Sequence, residues 1–198
     1  MAITRGALRQ GRNPCHNPPN EKVLVAHYFN PPYFLPLVEI VRGADTSDET
    51  VEAVCSLLRK LGKHPAIVRK EVPGFIGNRL QAALIREAIS LVQNGVASAE
   101  DVDTVIRYGF GRRLAASGVF EIFDLAGWNT VLAIARYLLP DLESSARIAP
   151  LLEQMVARGE LGVKTGRGFY SWDPDRARAR NQQIAQVLVG IAQRSERT

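Results

Sequence analysis

Only two stretches of this 198-residue chain have the composition of strands, KVLVAHYF at 22–29 and LPLVEIV at 35–41, and every periodic stretch after them is helical. Both are rich in β-branched and aromatic residues and are bounded by proline and glycine. An isolated hairpin is marginal in water, so these strands need another layer of structure to cover them. With 46% apolar residues there is material for one large core or two modest ones. The expectation is a mainly α chain with a small β element near its start.

Alternation along an extended chain puts Val23, Val25 and His27 on one face of the first strand, and Leu37, Glu39 and Val41 on one face of the second. If the chain doubles back symmetrically about Tyr33, positions whose numbers sum to 66 lie opposite each other, and His27 faces Glu39. Opposed side chains are within hydrogen-bond reach, and a carboxylate beside an imidazole favours one tautomer. That is the arrangement a general base needs to take a proton from an alcohol near neutral pH. The alternative is a half-exposed cross-strand pair that adds only a few tenths of a kcal/mol to a sheet. Spacing alone leaves both readings standing.

The helical pattern begins with Thr46 to Leu61, where Thr46 and Glu49 read as a capping box and Val51, Val54, Cys55 and Leu58 share a face. A short extended piece, HPAIVRKE, leads to a long helix expected from Pro73 to about Asn94, with Gly95 as its stop. Asn78 lies near the N-terminal end of that helix and heads the apolar row Ala82, Ile85 and Ile89, beside the polar row Arg79, Arg86, Ser90 and Gln93. An amide on an apolar side needs a partner, or else serves the local backbone. Ser98 and Asp101 cap a helix through Tyr108, and Asn129 reads as the cap of VLAIARYLL. Further helices are expected near Ser145 to Arg158 and in the tail, where Ile184, Val187, Leu188 and Ile191 recur. Six or seven helices follow the two strands.

The leader, residues 1–21, carries three arginines and three prolines before its first acid, and is read as disordered. Two cysteines, Cys15 and Cys55, support neither a disulfide framework nor a metal knuckle. His16, His27 and His64 are not at ligand spacings, so no metal is expected. The net charge of +5 is spread along the chain without interleaved aromatics, so no nucleic-acid partner is expected. No window is apolar for long enough to cross a bilayer and no secretory signal opens the chain; no membrane partner and a cytoplasmic location are the expectation.

The motifs HYFNPP, LVEIV and PGFIGNRL, in that order and spacing, resemble the 3-hydroxyacyl-CoA dehydrogenase family. The resemblance continues through ASAEDVDTVIRYGFG, GVFEIFDLAG and GVKTGRGFYSW, and covers roughly Val23 to Trp172. It implies a 6-phosphogluconate-dehydrogenase-like C-terminal helical domain, preceded by two strands left from a truncated Rossmann domain. The implied division is a leader 1–21, a Rossmann remnant 22–43, a helical substrate and dimerisation domain 44–172, and a helical tail 173–198. The implied reaction is oxidation of an (S)-3-hydroxyacyl-CoA to the 3-ketoacyl-CoA with NAD as hydride acceptor, in fatty-acid or butanoate metabolism. His27 is then the base, Glu39 its orienting carboxylate, and Asn78 the residue that holds the substrate oxygen. A homodimer through the helical domain and an acyl-CoA substrate are the implied partners.

The sequence departs from the family pattern in two places. The G-x-G-x-x-G turn that seats the cofactor pyrophosphate does not occur, so the chain by itself is expected to be inactive. Where the family commonly has M-G-P-F-E this chain has ASGVFE, with Arg112 and Arg113 just before it. Those arginines are candidate substrate-binding residues for a CoA phosphate, against a reading as solvated charge. Glu121 and Asp124, three apart, read as caps and helix-dipole partners rather than a catalytic carboxylate pair. Related dehydrogenases of the L-gulonate and carnitine type act on hydroxy compounds without CoA, which leaves the acyl group open. A non-catalytic helical dimerisation module is the reading from a different class.

Overall fold

The computed structural model describes residues 2–4 and 21–195. Four strands make one sheet in the order β1 (Ala2–Thr4), β2 (Val23–Tyr28), β3 (Leu37–Arg42), β4 (His64–Val68). The outer pairs are parallel and the central pair, β2 with β3, is antiparallel. Helix α1 (Asp48–Lys60) is the crossover between β3 and β4. The sheet is thus larger than two strands: Ala2–Thr4, in the leader read as disordered, pairs with β2, and the extended piece after Gly62 becomes β4. Residues 5–20 of the leader, Cys15 and His16 included, lie outside the described residues.

Each face of the sheet has its own core. Leu24, Ala26, Val38 and Ile40 pack on Val51, Val54, Cys55 and Leu58 of α1, whose i, i+3, i+4, i+7 spacing makes one stripe. Each of these larger side chains contributes about 1.5–3 kcal/mol by leaving water. On the opposite face Val25, Val41 and Val68 pack with Phe75. That second face also carries His27 and Glu39.

Helix α1 begins one residue later than the capping box implied. Ser47 is the cap, its hydroxyl accepting from the Thr50 amide at 3.2 Å. Thr46 is buried instead, its hydroxyl donating to the Val23 carbonyl at 2.5 Å and accepting from the Gly43 amide at 2.8 Å. A hydroxyl committed to joining a loop to a strand is not free to cap a helix.

Seven more helices follow: α2 (Gly77–Gln93), α3 (Ala99–Tyr108), α4 (Phe110–Leu114), α5 (Val119–Ala126), α6 (Trp128–Leu138), α7 (Pro150–Ala157) and α8 (Pro174–Ser195). Ser98 caps α3 as expected, accepting from the Asp101 amide at 3.0 Å. The cap position of α6 is Gly127, not Asn129, which lies inside the helix. The chain divides into two compact units, Met1–Gln81 with Ala185–Thr198, and Ala82–Ile184. Within the second unit the Glu87 carboxylate accepts from the Glu143 amide at 2.8 Å, and Gln93 accepts from the Leu151 amide at the start of α7 at 2.9 Å. Among the described residues no helix is long and apolar enough to cross a membrane.

Candidate functional site

The strand register pairs His27 with Glu39, the pairing that symmetry about Tyr33 predicts. His27 Nδ1 lies 2.7 Å from Glu39 Oε2. Glu39 is buried, with 1% of its surface exposed, in a position where an uncompensated charge would be costly. Compensation comes from the backbone: Oε1 accepts from the Ile76 amide at 2.8 Å and the Gly77 amide at 2.9 Å. These are among the first N–H groups of α2, which have no partner within the helix and carry the positive end of its dipole. The carboxylate is therefore a cap for α2 delivered from another element, and both its oxygens are committed.

With the Glu39 carboxylate accepting at Nδ1, the imidazole carries its hydrogen on Nδ1 and presents an unshared pair at Nε2. Nε2 makes no hydrogen bond among the described residues. The ring is held by two phenyl rings set edge to face, Phe29 at 5.3 Å and Phe75 at 5.4 Å between centroids. Its side chain is 16% exposed, so one edge reaches solvent while the other is enclosed. A fixed imidazole with an accessible basic nitrogen can accept a proton from a neighbouring hydroxyl.

Two backbone features make room for this. Phe75 has φ +50°, the single positive-φ residue other than glycine among the described residues, a conformation that costs roughly 1–3 kcal/mol. At Gly77 a Cβ would stand 2.1 Å from the Phe29 ring, so the ring and the helix start approach closely only because glycine is there. Left-handed Gly74 and Phe75 also explain why α2 starts at Gly77 and not at Pro73.

Asn78 is the second residue of α2 and follows directly after the amide that Glu39 holds. Its side chain is exposed and makes no hydrogen bond among the described residues, so the partner expected for it on an apolar row is not present there. That row is itself uncovered: Ala82 and Ile85 are exposed. Arg112 and Arg113 lie on α4 in the other unit. Arg112 stacks on Tyr108 at 4.8 Å and donates to the Arg107 carbonyl at 3.2 Å, contacts that hold the side chain within its own segment. Glu121 accepts from the Ser117 hydroxyl at 2.6 Å and the Gly118 amide at 3.0 Å, and these bonds, the hydroxyl first, hold its carboxyl below the usual range. Asp124 accepts from the Trp128 indole. Both are committed at helix ends, and no two-carboxylate site forms from them.

The Ile76 and Gly77 amides and the two phenyl rings were not singled out from the sequence. The one signal for them is the Gly-Phe-x-Gly run before a helix, which marks an unusual backbone.

Residues 15–72 match the family model described as 3-hydroxyacyl-CoA dehydrogenase, NAD binding domain, and residues 74–172 match 3-hydroxyacyl-CoA dehydrogenase, C-terminal domain. The L-carnitine dehydrogenase of Burkholderia mallei is 49% identical over 181 residues, covering 89% of this chain and 56% of its own. The 5-formyl-3-hydroxy-2-methylpyridine 4-carboxylate 5-dehydrogenase of Mesorhizobium japonicum is 33% identical over 171 residues, covering 86% of this chain and 55% of its own. A crystal structure of an enzyme of that activity, described as an NAD+ dependent dismutase, superimposes with a TM-score of 0.82 at 33% identity, over 85% of this chain and 54% of the other. The chain spans about half the length of the curated relatives it matches.

The family's cofactor is NAD. A dinucleotide pyrophosphate is seated between a strand end and a helix N-terminus. Gly109 instead lies between α3 and α4 and Gly111 inside α4, and Gly162, Gly166 and Gly168 form a turn that closes on itself through bridges from Arg167 to Gly162 and Ser171. The glycines among the described residues therefore do not form that cradle. The two family models together span most of the chain, and the His27–Glu39 pair, the α2 start and the motifs after it fall inside their matched ranges: the chain belongs to the 3-hydroxyacyl-CoA dehydrogenase family.

Proposed function

We propose that this chain carries the proton-transfer half of a site for NAD-dependent oxidation of a secondary alcohol, with an (S)-3-hydroxyacyl-CoA as substrate. The observation that carries this reading is the imidazole held at Nδ1 by a buried, fully bonded carboxylate while Nε2 makes no hydrogen bond among the described residues. His27 Nε2 takes the hydroxyl proton as the C–H bond is broken, and Glu39 stabilises the imidazolium that results. Asn78, exposed at the start of α2, is the candidate donor to the substrate's carbonyl or thioester oxygen, where the helix N-terminus also favours developing negative charge. NAD supplies the hydride acceptor. The sheet with α1 is, in this reading, part of a Rossmann-type nucleotide-binding domain, as the match over residues 15–72 supports.

A second substrate is favoured by one observation, the 49% identity to an L-carnitine dehydrogenase. Carnitine is also a 3-hydroxy acid, so the proton chemistry is unchanged and only the group beyond the hydroxyl differs. We further propose that the unit Ala82–Ile184 forms a homodimer, because it leaves its larger apolar side chains exposed.

The test is a chimera in which residues 15–198 follow the first half of the Burkholderia mallei relative, assayed for NAD reduction with (S)-3-hydroxybutyryl-CoA and with L-carnitine. Turnover of the thioester is expected, and His27→Gln should lower kcat about a hundredfold or more. Turnover of carnitine alone would replace the substrate, and an unchanged kcat in the variant would remove His27 as the base.

A further inference from the structure

We infer that Phe75 is a positioning residue for the general base and acts through its backbone rather than its ring. Gly74 at φ +79° and Phe75 at φ +50° are consecutive left-handed residues, and the Phe75 amide closes the turn by donating to the Val72 carbonyl at 3.0 Å. The next two amides, of Ile76 and Gly77, both end on Glu39 Oε1. Successive amides converge on one anionic oxygen when left-handed residues turn the chain back on itself; an extended residue at 75 would aim the Ile76 amide elsewhere. Convergence fixes Oε1, the rigid carboxylate then fixes Oε2, and Oε2 holds the proton on His27 Nδ1. The conformation of residue 75 is thus transmitted through one carboxylate to the tautomer of the ring directly opposite it in the sheet.

The ring of Phe75 has separate work. It packs on Val25, Val41 and Val68 and stands edge to face with His27. That packing explains why a large residue is kept where glycine would fit the backbone better. The inference rests on His27 being the base and extends that reading to the residue that sets its tautomer.

The experiment reads the ring nitrogens of His27 by long-range proton–nitrogen correlation in the full 198-residue chain, at mildly alkaline pH. Wild type should show one protonated nitrogen, Nδ1, and one unprotonated, Nε2, as separate signals. Phe75→Gly and Phe75→Ala both delete the ring and uncover the same three valines, so they differ chiefly in how readily residue 75 adopts a left-handed backbone. The glycine variant should keep the two wild-type signals, and the alanine variant should draw them toward their mean. An alanine variant that fails to fold beside a glycine variant with wild-type signals supports the same conclusion, since the ring is missing from both. Equal behaviour of the two variants, or a larger loss in the glycine variant, would overturn it. Undiminished turnover in the His27→Gln chimera would remove the base while leaving the tautomer comparison intact, so the two failures are distinguishable.

Discussion

Glu39 is the residue on which the site turns, because three N–H groups from three positions end on one buried side chain. Glu39→Gln tests what the negative charge does, as distinct from the shape. A glutamine can still offer its oxygen to the Ile76 and Gly77 amides, but its NH2 then faces His27 Nδ1 and must donate to it. The imidazole would carry its hydrogen on Nε2, the nitrogen we propose accepts the substrate proton. The expected result in the chimera is a kcat lowered by about a hundredfold or more with little change in KM, while thermal unfolding shows a loss of about 1–3 kcal/mol from weaker bonds at a buried site. Equal losses of kcat and substrate binding would point to a collapsed pocket instead. This pair was legible in the sequence because period-two alternation and a symmetric turn fix which residues face each other. The amides that complete it were not, because backbone donors carry no side-chain identity and depend on a left-handed turn at Gly74 and Phe75.

Among the elements, the loop after α7 is tied to α3 by the Tyr170 hydroxyl, which donates to Asp103 Oδ2 at 2.7 Å. Burial first, and then the hydrogen bond and negative charge of Asp103, push the phenol up to about 12 from its ordinary 10.0. A folded value above the unfolded one means the contact adds stability that is whole below about pH 10 and is lost as pH rises towards 12. Unfolding temperature should therefore fall across that interval, and Tyr170→Phe should flatten the fall while lowering stability at neutral pH. A phenolate absorbance that titrates at the ordinary value for all five tyrosines would contradict the coupling. Periodicity made six of the eight helices readable but not α4 and α5, and helix ends were read correctly for α3, from its Ser98 cap to Tyr108, but not for α1, α2 or α6. Thr46 satisfied the capping pattern but is spent on the Val23 carbonyl, and Pro73 stands before a left-handed turn that delays α2 to Gly77. Periodicity also grouped Ala82, Ile85 and Ile89 on one face without specifying what covers it.

For the whole molecule the missing cover is the consequential fact. The buried apolar residues fall almost all in the sheet unit, and the unit Ala82–Ile184 buries only Met155 and Ala177. Meanwhile Leu125 is 89% exposed, Phe120 72%, Tyr137 70% and Leu139 64%, on or beside α5 and α6. Apolar surface on this scale is a liability for a monomer and the ordinary signature of an interface. A second copy of the same unit is the occupant that requires no other component, since a two-fold contact needs only a surface complementary to itself. Sedimentation of the 198-residue chain should show a two-chain species at micromolar concentration. Leu125→Asp together with Phe120→Asp should shift it to monomer, lower its unfolding temperature and remove the concentration dependence that a dimer shows, because burying an unpaired carboxylate in such a contact costs several kcal/mol. A wild-type chain that stays monomeric at high concentration would mean that these helices are covered by something other than their own copy. Variants that remain dimeric would place the contact on a different face of the unit.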